Sequence, residues 1–384
     1  MKHIAVVHSF YSNASPSGEN VLVDFHCEQL QNSGYQVTLV SSRTEQKIVN
    51  MNDKLAAAAR VATGHEPDLL RELKAIGPDV IHVHNLFPNF GVDWAPRVGI
   101  PIIATIHNYR SICAGGMLFR KGGNCLSCVP GQGIRPLTHA CYRGSRIATL
   151  PLWVGNRYGV HNGLLRSATR LIVLSERARR IYSEAGIPEG RMQALPNPTR
   201  LYPLASSPVP SVERWLYLGR LSEEKGIAQL VTHWPNKHRL DVVGDGPLSE
   251  ELRRATKPGI RLLGRWTSAE VAENLSRYTG LVFSSMCAEN APMTFGEALS
   301  RGLPVLALAG NSVADAVQAN KCGRVMDALS ESNLREGMKW IVGEGQRLRD
   351  HCLAVCGTEY TAEAWMKQLD MVYESAWKGA GVQP

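Results

Sequence analysis

Residues 280–299 read GLVFSSMCAENAPMTFGEAL. The opening GLVFSSM is an apolar run of strand length, and PMTFGEAL suits a helix. Pro292 fits a first helical position, so the helix is predicted to begin there. A strand that runs through a short loop into a helix is the building unit of a parallel sheet. Two acids, Glu289 and Glu297, bracket seven residues that carry no charge. With Glu289 on the loop and Glu297 one to two turns into the helix, the pair is too far apart to share a proton. The open backbone N–H groups of Met293, Thr294 and Phe295 fall between them. That layout suits a ligand with hydroxyls at both ends and a phosphate in the middle, such as a nucleotide sugar. The competing reading is a helix with one acid for its dipole and a second, exposed acid.

The same unit recurs in both directions. Upstream, HIAVVHS, YQVTLVSS, PDVIHVHN, GIPIIATIHN and TRLIVL are predicted strands. Helical stretches separate them, among them ENVLVDFHCEQLQNSG, an alanine-rich segment ending near Gly64, and LLRELKAIG. PNPTRLYPLASSPVPS, with five prolines, reads as a linker. Beyond it RWLYLG, HRLDVVG, GIRLLG and LPVLALAG restart the alternation, and YTAEAWMKQLDMVYESAW is a final amphipathic helix. The expected fold is α/β: two doubly wound, Rossmann-like parallel-sheet domains facing a central cleft, with ligands beyond the carboxyl ends of the strands. The expected boundaries are 1–200, a linker at 201–211, a second domain at 212–356, and a C-terminal helix at 357–384 packing back on the first domain.

A chain of 384 residues suits two domains. No apolar run approaches a membrane span, and MKHIAVVHSF reads as a first strand, not a leader, so a cytoplasmic location is expected. The net charge is +8, and residues 135–191 carry ten arginines against three glutamates. Such a patch suits an anionic surface; the alternative is a solvated face. No stacking-aromatic or zinc-finger module points to nucleic acid. Of nine cysteines, Cys27, Cys287, Cys322, Cys352 and Cys356 are scattered and read as buried.

In LYLGRLSEEKG, Gly219 ends a strand, and Arg220 and Lys225 lie on the loop before the next helix. Both cations have the reach to close on one diphosphate. Two solvated surface charges are the plainer reading of that pair alone. The ordered set is more specific. SGENVLV, PDVIHVHN, ATIHNYR, LPNP, YLGRLSEEKG, VVGDGPL, LLGRW and ENAPMTFGEALSRGLPVLA together resemble the retaining glycosyltransferases of family 4, which have the GT-B fold. The resemblance runs over essentially the whole chain.

The resemblance implies that Arg220 and Lys225 hold the donor diphosphate, that Glu297 binds ribose and that Glu289 binds the transferred sugar. His107 matches a family histidine that faces the reacting centre; a core histidine satisfied by backbone is the alternative. Gly18 matches a loop that lets backbone approach the donor phosphates or the acceptor. Nucleobase contacts are expected near Gly244 and Arg265-Trp266. Two departures stand out: Ser17 precedes Gly18 where two glycines are usual, and Asn197-Pro198 replaces Asn-Gly. Cleavage of the anomeric bond leaves negative charge on the diphosphate, which Arg220, Lys225 and the helix amides would stabilise. Retention with the leaving phosphate taking the acceptor's proton needs no carboxylate pair at glycosidase spacing. No Asp-x-Asp motif follows a strand, so transfer without a divalent metal is expected. His82 and His84 share one face of a strand and read as structural.

Cys113, Cys125, Cys128 and Cys141 cluster in a glycine-rich insert, with two residues between Cys125 and Cys128. Four soft ligands suit structural zinc; an iron–sulfur cluster or four reduced thiols are the other readings. The following segment, with Trp153 and Tyr158, is expected to rest on an anionic membrane, which suits a lipid-linked acceptor. The leading function is transfer of a sugar from a nucleotide sugar to a glycan or lipid-linked glycan in bacterial cell-surface polysaccharide or glycolipid synthesis. The alternatives are a non-hydrolysing sugar-nucleotide epimerase and a non-catalytic relative that binds membrane or nucleic acid.

Overall fold

The computed structural model describes residues 2–10, 18–129, 131–157, 159–255 and 257–379. The chain forms two compact units. The first comprises Met1–Leu118, Cys125–Pro196 and Met366–Pro384, and the second Phe119–Asn124 and Asn197–Trp365. Tyr158 and the Ser17 loop lie outside the described residues.

The first unit is built on strands β1 (His3–Phe10), β2 (Gln36–Arg43), β3 (Val80–Asn85) and β4 (Ile102–Ile106). The chain then forms a two-stranded hairpin, β5 (Phe119–Arg120) and β6 (Gly123–Asn124), that belongs to the second unit, and returns to the first with β7 (Arg170–Val173) and β8 (Met192–Ala194). The six-stranded sheet runs β2-β1-β3-β4-β7-β8, with every pair parallel. Its central strands are buried on both faces, which is why they read as unbroken apolar runs; Ile4 to Val7 are fully inaccessible. The C-terminal helix, Ala362–Gly379, packs here. Tyr35 Oη donates to Asp370 at 2.9 Å, Arg170 Nε to Ser375 Oγ at 2.9 Å, and Tyr373 stacks on Trp377.

The second unit carries β9 (Trp215–Leu218), β10 (Leu240–Val243), β11 (Ile260–Gly264), β12 (Gly280–Phe283), β13 (Val305–Leu308) and β14 (Gly323–Met326). Their order is β11-β10-β9-β12-β13-β14, again all parallel. The chain builds outward from β9 on one side and then resumes at β12 on the other. Strand order therefore reverses at the β9/β12 boundary, where such sheets leave a crevice at their carboxyl ends.

The proline-rich stretch has no regular structure, so its backbone needs other partners. The buried Arg349 supplies them: Nε reaches Ser207 O at 2.9 Å, Nη2 reaches Ser207 Oγ at 2.6 Å, and Nη1 reaches Tyr278 O at 2.9 Å. Arg301 Nη1 donates to Tyr202 O at 2.7 Å. The hairpin in the cysteine-rich insert groups with the second unit, where Asn124 Nδ2 donates to Gly310 O at 2.7 Å. The five scattered cysteines are all buried. No helix among the described residues is long and apolar enough to cross a membrane.

Candidate active site

Lys225 and Glu289 meet at the β9/β12 boundary. Lys225 ends a short 3-10 turn, Glu223–Lys225, after β9, and Glu289 lies on the loop after β12. Gly226 makes the approach possible. Its φ is +68°, and a Cβ there would stand 2.2 Å from the Ser284 carbonyl oxygen. Ser284 Oγ donates to Lys225 O at 2.8 Å, and Met286 N–H to Glu224 O at 2.8 Å, which ties the two loops together. The Lys225 ammonium contacts Glu289 Oε1, and Ser285 Oγ donates to the same oxygen at 2.6 Å. The Lys225 side chain is 26% exposed and that of Glu289 11%. Burial alone pulls the ammonium's pKa down, but Glu289, Cys287 and Glu224 outweigh it and hold the pKa above the usual lysine value. Lys225, expected on the diphosphate, and Glu289, expected on the sugar, are thus in contact, whereas Arg220 is not part of that contact. Ser284 and Ser285 escaped notice there; the signal was a serine pair directly after an apolar strand.

Arg220 is exposed, and no side-chain partner for it is found among the described residues. Its carbonyl accepts from Tyr217 Oη at 2.8 Å. Gly219 is crowded by Gly244, where a Cβ would stand 1.9 Å from Gly219 O. Arg265 is exposed just past β11. Ser249 and the Gly246 N–H hold the Asp245 carboxyl below the ordinary range, and Arg265 adds to that pull.

The helix after Glu289 spans Met293–Ser300. Pro292 caps it with extended backbone (φ −65°, ψ 133°) in place of the first helical position predicted for it, because its ψ is not helical. A second correction concerns Phe295. Its N–H donates to the Pro292 carbonyl at 3.2 Å in a tight first turn, so it is not open to a ligand. Its ring packs on Tyr360. Met293 and Thr294 keep their N–H groups without a backbone acceptor among the described residues. Asn197 Nδ2 holds the loop through Ala291 O at 2.8 Å. Glu297 lies one turn in, and burial raises its carboxyl to about 7 against the opposing pull of Arg200 and Arg301.

In the first unit, His107 follows β4 and shares a pocket of about 100 Å3 with Phe87, Arg110, Leu164 and Leu165. Its Nε2 lies 2.8 Å from His84 Nδ1, and burial lowers its pKa to about 3. The partner of His107 Nε2 is thus a side chain and not backbone. Gly18 opens the helix Gly18–Asn32. Beside it, Glu19 was missed in the sequence; burial lifts its carboxyl to about 8, with Arg110 pulling the other way.

The four clustered cysteines are free thiols of intermediate burial. Burial, then Cys113, Cys141 and Cys125, raise the Cys128 thiol to about 11, which places all four near one another. Among the described residues the His/Cys/Asp/Glu group whose ligand atoms all lie within 4.8 Å of one another is His26, His82 and His84. Ala114 and Cys141 from the insert pack with Val61 and Leu152.

Residues 16–201 match Glycosyltransferase Family 4, and residues 213–344 match Glycosyl transferases group 1. The chain belongs to the family 4 glycosyltransferases. A curated relative of this glycosyltransferase, the GDP-mannose-dependent alpha-(1-6)-phosphatidylinositol monomannoside mannosyltransferase of Mycobacterium tuberculosis, is 28% identical over 165 residues. That match covers 38% of this chain and 42% of the relative, so the chain spans well under two thirds of the protein it matches. Among solved structures, sucrose-phosphate synthase from Thermosynechococcus elongatus superposes with a TM-score of 0.68 at 16% identity, over 98% of this chain and 100% of that one. The lipopolysaccharide outer core galactosyltransferase WaaB gives 0.66 at 16% identity, over 98% and 99%. Anabaena HepE in complex with UDP-glucose gives 0.66 at 13% identity, over 98% and 100%. At these identities the likeness concerns the fold, which is GT-B.

The glycosyltransferase spends part of its arginine excess internally. Arg170 binds Ser375, Arg191 binds the carbonyls of Leu165, Arg166 and Ala168, and Arg179 pairs with Glu176 and Glu189. Carbonyls and acids within the fold thus compete with any external anion for those guanidinium groups. Trp153 Nε1 donates to Gly133 O at 2.6 Å. The more exposed apolar residues of this region are Ile134, Ile147 and Leu150.

Proposed function

We propose that the protein is a retaining hexosyltransferase that moves a sugar from a nucleoside diphosphate sugar to a glycan or lipid-linked glycan. The observation that carries this reading is the meeting of Lys225, Glu289 and Ser285 at the β9/β12 boundary, next to the open N–H groups of Met293 and Thr294. Lys225 and Arg220 take the departing diphosphate, Glu289 a sugar hydroxyl, and Glu297 the ribose diol. In this reading the developing negative charge is met by two cations and two backbone amides, fixed groups of the kind that give electrostatic stabilisation its weight. His107 and Arg110 line the pocket of the first unit and act on the sugar or the acceptor. The relatives support the reading: one is GDP-mannose-dependent, and HepE is seen with UDP-glucose. The chain's own sugar and base are left to the assay.

No divalent metal serves the transfer in this proposal, since two cationic side chains occupy the role. The four thiols of the insert are proposed as a structural zinc site; their mutual effect on Cys128 supports a shared locale. A peripheral position on an anionic membrane, at the cytoplasmic face, is proposed from Ile134, Ile147 and Leu150 beside Arg143 and Arg146. The testing experiment is incubation of the protein with a panel of UDP, GDP, dTDP and ADP sugars, with and without membrane extract, in EDTA. Sugar appearing in the extract only when protein and one donor are present supports the reading. A new sugar nucleotide formed from donor alone would make it an epimerase. Dependence on added magnesium would refute metal-free transfer.

A further inference from the structure

Four histidines, one tyrosine and one threonine of the first unit form a continuous hydrogen-bond chain. His107 Nε2 meets His84 Nδ1 at 2.8 Å, and His84 Nε2 meets His26 Nδ1 at 2.7 Å. His26 Nε2 meets Tyr373 Oη at 3.2 Å, which in turn meets His82 Nδ1 at 2.6 Å. His82 Nε2 meets Thr105 Oγ1 at 2.8 Å. His26, His82 and Tyr373 are fully buried, and His84 and Thr105 are each 6% exposed. Tyr373 comes from the C-terminal helix, His26 from the first helix, His82 and His84 from β3, Thr105 from β4 and His107 from the loop after it.

Burial keeps the rings neutral: it lowers His26 and His107 to about 3 and holds His82 and His84 well below their ordinary value. A neutral imidazole has one N–H and one acceptor nitrogen, so the donors along the chain must all point one way. Five bonds join six groups, and each group brings one proton. One proton is left over. If the donors run from Thr105 through His82, Tyr373, His26 and His84, the spare proton lies on His107 Nδ1, at the pocket. If they run the other way, it is the Thr105 hydroxyl proton. Among the described residues His82 is the one partner of Thr105 Oγ1, so that proton would be buried with no acceptor. Letting both His26 and His82 donate to Tyr373 orphans the tyrosine proton instead. An unmet buried donor is disfavoured about tenfold or more, enough to select the first direction. Metal ligation is the other use for His26, His82 and His84. All six of their ring nitrogens already have partners within the chain, so a metal would have to break it.

We propose that Thr105, His82, Tyr373, His26 and His84 are positioning residues that fix His107 as its Nδ1–H tautomer, making it a neutral hydrogen-bond donor to a substrate oxygen. This rests on the reading that places His107 at the reacting sugar. The test is carried out on full-length protein with 15N-labelled histidine, by long-range proton–nitrogen NMR, with donor kinetics alongside. The wild type should show His107 protonated at Nδ1. Thr105→Val, which removes the first donor at nearly constant shape, should mix the His107 tautomers and lower kcat about tenfold with donor KM unchanged. Thr105→Ser should restore both. Tyr373→Phe should act like Thr105→Val, and if it does not fold, the Thr105 pair still decides. A wild-type His107 protonated at Nε2, or a Thr105→Val protein with wild-type signals and kcat, overturns the proposal. So does added zinc that shifts the His26, His82 and His84 signals together. If no sugar is transferred by the wild type, the proposed function fails while the NMR spectra still decide the tautomer.

Discussion

Glu297 and Glu289 differ in chemistry although one helix start separates them: Glu289 is paired with Lys225, whereas Glu297 is held up to about 7 by burial. A carboxyl raised in the folded state binds its proton more tightly there than in the unfolded chain. Its contribution to stability is complete below the ordinary glutamate value and is lost as pH rises through about 7. Glu297→Gln keeps a neutral side chain at every pH. The variant should match wild type in Tm at pH 5 and exceed it by at least about 2 °C at pH 8.5. Equal melting curves at both pH values would show that Glu297 ionises freely. The cost of that buried carboxylate is what a ribose diol would offset by hydrogen bonding to it.

At the scale of elements, the linker and the insert are held by different means. Arg349 satisfies Ser207, Tyr278 and Ser276 from inside the second unit. Arg349→Ala leaves those carbonyls unmet and opens a cavity, and should cost about 3 kcal/mol, read as a Tm loss of roughly 5–10 °C by calorimetry. A loss under about 1 °C would mean the linker is held elsewhere. For the insert, protein purified without chelator should carry about one zinc per chain, and Cys128→Ser should lose it. Less than about 0.2 metal per chain would remove the zinc assignment. Most strands were legible because burial on both faces leaves an unbroken apolar run. β5, β6, β8 and β14 were not: each is short and carries a polar residue, Arg120, Asn124, Gln193 or Arg324. The helix start at Pro292 was misplaced by one residue because proline's fixed φ suits both the cap and the first turn, and only ψ separates them.

At the scale of the molecule, the residues proposed for the donor site could be singled out in the sequence, but the contact between Lys225 and Glu289 could not. Lys225 and Glu289 lie 64 residues apart, and nothing local states that β9 and β12 are neighbours. The histidine chain was hidden for the same reason: Tyr373 is 291 residues from His82. The surface around Ile147 predicts that the protein floats with anionic vesicles at low salt and is released at high salt. Absence of co-flotation at low salt would remove the membrane from the account. The central claim is that Lys225, Arg220 and Glu297 receive a nucleoside diphosphate. Calorimetric titration of UDP and GDP into wild type and into Lys225→Ala tests it most directly. One nucleotide should bind the wild type and lose about 100-fold or more in affinity in the variant, with unchanged far-UV circular dichroism. Equal affinity in both proteins, or no binding to the wild type, would contradict it.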